Sequence, residues 1–145
     1  MREFFLSEHV DLTVFGRLLN ETIHFKELLM KYLCLIYDEE TKMAQMSKEE
    51  GEKFMAEYFE FTEAIKKSGH YIAGEALQPV NTATTVRVRN GKMSTTDGPF
   101  AETKEQLGGF YMVEAKDLND AMQVASRIPS AKYGSIEVRP IMVFN

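Results

Sequence analysis

Six side chains stand where this chain could do chemistry on a small molecule. Asp97 opens a tight Asp97-Gly98-Pro99-Phe100 segment, with Glu102 two residues beyond it. Glu75 lies in a strand-like stretch, and Arg87 and Arg139 occupy polar positions of two alternating segments. A carboxylate within reach of a C–H or O–H bond can serve as a general base, and a guanidinium can grip an anionic group. The expected chemistry is therefore proton transfer on a small organic substrate. Asp97 or Glu75 is the candidate base, Arg87 or Arg139 holds the ligand, and Phe100 and Glu102 lie beside them. Each has a plainer use: Asp97 as an Asx-type turn former, Glu102 and Glu105 as solvated acids, and Arg87, Glu137 and Arg139 as a cross-strand charge ladder.

Other chemistries are excluded by count. The chain has 145 residues with one cysteine and three histidines. Cys34 lies inside the apolar run Leu33-Cys34-Leu35-Ile36, where a buried, inert thiol is expected. His9 and His24 precede residue 30, so His70 alone remains for the domain, and its place after Gly69 suits a helix-end cap. No cysteine–histidine metal spacing, phosphate-cradling glycine loop or nucleophile elbow is present. No metal or other cofactor is expected. A net charge of −5 argues against direct nucleic-acid binding. No stretch has the length of a membrane span, and a single cysteine suits a reducing compartment, so a cytoplasmic protein is expected.

The elements that must position these residues are legible from periodicity. Lys31–Tyr37 reads as a buried strand. Ser47-Lys48-Glu49-Glu50 is a capping box, followed by a helix with Phe54, Tyr58, Phe61 and Ile65 on one stripe and Gly69 at its C-terminal end. Tyr71–Leu77 is a second strand, in which Gly74 leaves room for a ligand or a neighbouring backbone. Asn90-Gly91 should turn Thr84–Arg89 back onto Lys92–Thr96. Gly109–Glu114 and Ser135–Val143 are further strands. Between them Asp117 caps a helix with Leu118, Met122 and Ala125 inward, stopped at Pro129. The result is an α+β domain with a ferredoxin-like βαββαβ order and an extra hairpin. Helices on one face leave the other needing cover, which points to a homodimer closed face to face as an α/β barrel. Residues 1–29 read as an extension bearing a short amphipathic helix around 10–20, either a segment from a start upstream of Met30, a docking helix or an element that swaps onto a partner, and residues 30–145 as the domain.

The contiguous segment Asp97-Gly98-Pro99-Phe100-Ala101-Glu102-Thr103-Lys104-Glu105-Gln106-Leu107-Gly108-Gly109 resembles the signature of the DGPF family, within the wider YCII-related group. Lys31-Tyr32-Leu33, Gly74-Glu75-Ala76-Leu77-Gln78-Pro79, Thr84-Thr85-Val86-Arg87 and Glu137-Val138-Arg139-Pro140 resemble its members too. The resemblance implies a dimeric α/β barrel with a small-molecule pocket on each subunit. It also implies an alternative, a non-catalytic regulatory or accessory protein associated with an extracytoplasmic-type sigma factor. Some members of the wider group carry a proposed His–Asp pair. Here helix 47–68 has no histidine and Arg127-Ile128-Pro129-Ser130 no aspartate, so that pair is not carried over.

Overall fold

The computed structural model describes residues 29–144 together with Thr13, Gly16 and Arg17; most of the expected helix around 10–20 lies outside the described residues. Strand β1 (Met30–Asp38) is followed by a one-turn helix α1 (Glu40–Met43) and by α2 (Lys48–Lys67). Then come β2 (Tyr71–Ala76), β3 (Thr84–Arg89), β4 (Lys92–Asp97), β5 (Gln106–Ala115), α3 (Leu118–Ala125) and β6 (Ser135–Pro140). Short 3₁₀ turns span Val80–Thr82 and Pro129–Lys132. The main sheet has four strands in the order β2-β5-β1-β6, and β3 and β4 form a separate two-stranded sheet. All pairings are antiparallel, and the order is compatible with a ferredoxin-like fold.

Local chemistry starts and stops these elements. Ser47 Oγ accepts the amide of Glu50 at 3.2 Å while Glu50 returns a carboxylate oxygen to the amide of Ser47 at 2.7 Å, closing the capping box. Gly69 takes φ +80 where α2 ends. Asn90 and Gly91 take φ 52 and 72, the left-handed pair that a tight hairpin requires. Asp117 accepts the amide of Asp120 at 2.8 Å and starts α3.

The core lies between one face of the main sheet and the helices. Tyr32, Cys34 and Ile36 from β1 and Tyr111, Val113 and Ala115 from β5 meet Phe61 and Ile65 from α2. Burying each aliphatic side chain of this size contributes about 1.5–3 kcal/mol. Cys34 is 0 % exposed, and burial pushes its thiol up to about 11, so it is an inert core group.

Several elements differ from the sequence expectation. In α3 the buried residues are Ala121, Val124 and Ala125, whereas Leu118 and Met122 are about half exposed. The small residues let the helix lie close to the sheet, and the larger ones fall on its outer side. Strand β5 begins at Gln106 instead of Gly109, because Leu107 and Gln106 extend the ladder opposite Tyr37 and Asp38 past a bulge. Gly98 has φ +103, and its amide donates to the carbonyl of Ala83 at 2.7 Å.

Gly134 is the tightest position. A Cβ there would stand 1.9 Å from the Tyr37 carbonyl oxygen and 2.7 Å from Asp38 Oδ1. Gly134→Ala is expected to destabilise the protein by about 1–3 kcal/mol or more, since backbone atoms must move apart to admit the methyl group. Denaturant unfolding checks this; a variant with unchanged midpoint would contradict the close approach.

Candidate functional site

Along β1, alternate residues Tyr32, Cys34 and Ile36 are buried on the helix side of the sheet, and Asp38 continues the same series. Its carboxylate therefore arrives beneath α2 at the end of the strand. Oδ2 of Asp38 accepts the hydroxyl of Ser130 at 2.6 Å, and Ser130 Oγ lies 2.6 Å from the Tyr58 hydroxyl. With Ser130 donating to Asp38, the phenol is the donor to Ser130. The chain runs Tyr58 to Ser130 to Asp38. Ser130 is fully buried, and Asp38 Oδ1 is shut off from solvent with no hydrogen-bond partner among the described residues.

Three separate pieces of chain meet here. Asp38 comes from β1, Tyr58 from the aromatic stripe of α2, and Ser130 from the 3₁₀ turn that Pro129 opens. Phe54 supports Tyr58 edge-on at 5.2 Å between ring centroids. One turn further along α2, Thr62 Oγ1 lies 2.6 Å from the Tyr111 hydroxyl. A Cβ at Gly74 would stand 2.6 Å from the Tyr111 ring and 3.2 Å from the Phe110 carbonyl oxygen, so this glycine makes room for a ring and for the neighbouring strand's backbone.

These groups line one cavity of about 420 Å³, between α2, α1, the end of β2 and the start of β5. Burial holds the Asp38 carboxyl above its ordinary range; the Ser130 hydrogen bond opposes this, and the charge of Glu105 adds to it. Burial also pushes the Tyr58 phenol up to about 12, so it stays a proton donor near neutrality. A carboxyl raised in this way is a better base than an exposed one.

The residues marked in the sequence are not brought together. Glu75 lines the cavity, but Asp97, Arg87, Phe100, Glu102 and Arg139 do not. Asp97 and Arg87 belong to the β3–β4 hairpin, which stands apart from the main sheet, and Phe100 is 81 % exposed in the loop beyond it. Arg139 is exposed on β6 and paired with Glu137. His70 serves structure: its ring lies 2.7 Å from Ser68 Oγ and 3.2 Å from Asp120, tying the end of α2 to the start of α3.

The YCII-related domain model matches residues 30–145. The chain belongs to the YCII-related family. It is also similar to an uncharacterized protein of Rhizobium meliloti (strain 1021), 36 % identical over 117 residues, covering 79 % of this chain and 94 % of the relative. The YCII-related match takes in every residue of the cavity and of the hairpin. No helix among the described residues is long and apolar enough to cross a membrane.

Asp38, Tyr58 and Ser130 were not marked by sequence reasoning as site residues. One signal was available for Asp38, since extending the two-residue alternation of β1 by one step puts a carboxylate on the core face.

The raised Asp38 pKa has a consequence for stability. The fold disfavours the ionised carboxylate, so this cost is absent below the unfolded Asp value, near 3.8, and grows as pH rises through the folded pKa. Asp38→Asn keeps an oxygen for Ser130 and removes the charge. Its melting temperature, relative to the unsubstituted protein, is expected to rise between acid and neutral pH. Melts across that range check the sign; a relative melting temperature that falls would contradict a buried, disfavoured carboxylate.

Proposed function

We propose that this protein binds a small organic molecule in the cavity beside α2 and catalyses proton transfer on it. The observation that carries this reading is the hydrogen-bonded chain Tyr58–Ser130–Asp38 in the cavity wall, with both links at 2.6 Å. In the forward step the Tyr58 oxygen takes a proton from an acidic C–H bond of the ligand. Its own hydroxyl proton passes to Ser130, and the Ser130 proton passes to Asp38 Oδ2. The ligand keeps the electron pair of the broken bond, and Asp38 ends protonated. Reversal of the chain returns a proton to the ligand, at the same carbon or at a conjugated one.

Within the YCII-related family, the Asp97–Gly109 motif supports placing the chain in the DGPF branch. The protein would act as a homodimer closed into an α/β barrel in the cytoplasm. The support is the sheet face away from the core, where Leu33 opposes Met112 and Leu35 opposes Phe110 in register, all only half-buried. Light scattering at micromolar concentration is expected to give twice the chain mass; a monomer removes the barrel.

A second reading, a non-catalytic accessory protein that docks a partner such as an extracytoplasmic-type sigma factor, is favoured by one observation. Asp97 and Phe100 are exposed on the outer surface, as a contact loop would be. The two readings separate in deuterated water with a panel of ketones, aldehydes and esters bearing acidic C–H bonds. Under the first, the protein accelerates deuterium incorporation into a panel member. Asp38→Asn and Tyr58→Phe each lower that rate by about 100-fold or more, the scale of general acid–base catalysis, while Phe100→Ala leaves it intact. No incorporation with any member would favour the accessory reading.

A further inference from the structure

The charge pattern of the cavity bears on what it accepts, and this step rests on the small-molecule reading above. Among the described residues the wall brings in two carboxylates, Asp38 and Glu40, and no lysine, arginine or histidine; Glu75 borders it through its backbone, since it pairs with Phe110 on the opposite face of the sheet. Neither Asp38 nor Glu40 has an ion-pair partner among the described residues. Glu40 is held in place rather than free to swing away. Its Oε1 accepts the amide of Val80 at 2.9 Å, and its own amide donates to Gln106 Oε1 at 3.0 Å. A fixed carboxylate keeps its field aimed at one region, and a largely apolar wall screens that field less than water does.

The remaining wall is aromatic and aliphatic, with Phe54, Tyr58, Phe59 and Tyr111 among its residues. Ring faces carry the negative part of the aromatic quadrupole and attract cations. An anionic ligand would meet these carboxylates with no cation among the described lining residues to receive it, which is selection by repulsion. A bare metal ion does not match either, since the described residues hold no group of three His, Cys, Asp or Glu placed to bind one. The volume, about 420 Å³, lies in the range of small-ligand pockets.

We infer that the cavity selects organic cations, a protonated amine carried on an aromatic or alicyclic body. The body packs against the α2 rings while the ammonium group lies toward Glu40 and Asp38.

Calorimetric titration of the full chain with three probes of one shape tests this: tryptamine, the neutral alcohol tryptophol, and the anion indole-3-acetate. Tryptamine is expected to bind about tenfold tighter than tryptophol, as a desolvated cation–aromatic and carboxylate contact provides, with indole-3-acetate weakest. Glu40→Gln and Asp38→Asn are each expected to lower tryptamine affinity severalfold and to leave tryptophol unchanged; each amide retains an oxygen for the group that donates to it, the Val80 amide or the Ser130 hydroxyl. Equal binding of tryptophol and tryptamine, or indole-3-acetate binding as well as tryptamine, overturns the inference while leaving the cavity a ligand site. A preference for tryptamine that survives both substitutions overturns it too. Failure of all three probes to bind at millimolar concentration removes the small-molecule reading itself, and the inference with it.

Discussion

Placing a carboxylate on the core face of a central strand costs free energy unless polar groups receive it, and much of this molecule follows from how Asp38 is received. One oxygen takes the Ser130 hydroxyl; the other lies buried with no partner among the described residues, close to where a side chain at Gly134 would have to go. A hydrogen bond to a charged group contributes about 1.5–3 kcal/mol, which offsets only part of such a burial. For the bond to form, the turn after α3 must come down against the end of β1. That approach is possible because residue 134 has no side chain. Ser130 in turn is satisfied from α2, through Tyr58. Three segments far apart in the chain are thereby held at one point.

The same point organises the cavity wall. Tyr58 is both a member of the apolar stripe that seats α2 on the sheet and the polar end of the hydrogen-bonded chain. Thr62, one turn on, repeats the arrangement with Tyr111. The phenol and hydroxyl pairs give α2 two polar attachments to an otherwise apolar interface. They set its rotation, which apolar packing alone leaves less sharply defined. One side of the cavity is bounded by α1 and by the segment after β2, joined through Glu40 and Val80.

How much of this was legible in the sequence depended on the range of the interaction concerned. The Ser47–Glu50 capping box, the Asn90-Gly91 turn and the Phe54–Ile65 stripe are decided within a few residues, and each appears in the structure as expected. The inward face of α3 was misjudged because Leu118 and Met122 are the larger apolar residues, while close packing on the sheet selects Ala121 and Ala125. Asp38 falls on an alternation that is visible in β1. Its partner Ser130 is 92 residues away along the chain, and Tyr58, which bonds to Ser130, is 72 residues from Ser130, so no local pattern announces them. The Asp97–Gly109 segment is the opposite case. It is conspicuous as a motif, but whether it reaches the cavity depends on where the hairpin lies, and that is a tertiary matter.

The hairpin has a bearing on motion that the rest of the fold does not share. Among the described residues strands β3 and β4 pair only with each other, every residue of β4 is exposed, and Val86, Val88 and Met93 lie open to solvent. A two-stranded ribbon of this kind is marginal on its own and is held chiefly at its base, where Gly98 bonds to Ala83 and Thr85. Its amides should therefore exchange with solvent through local opening, well before those of β1 and β5, whose release requires the core to come apart. Sequence drift in the ribbon is then uncoupled from the hydrogen-bonded floor of the cavity. One part of the chain can change what it touches outside while the other keeps what it holds within.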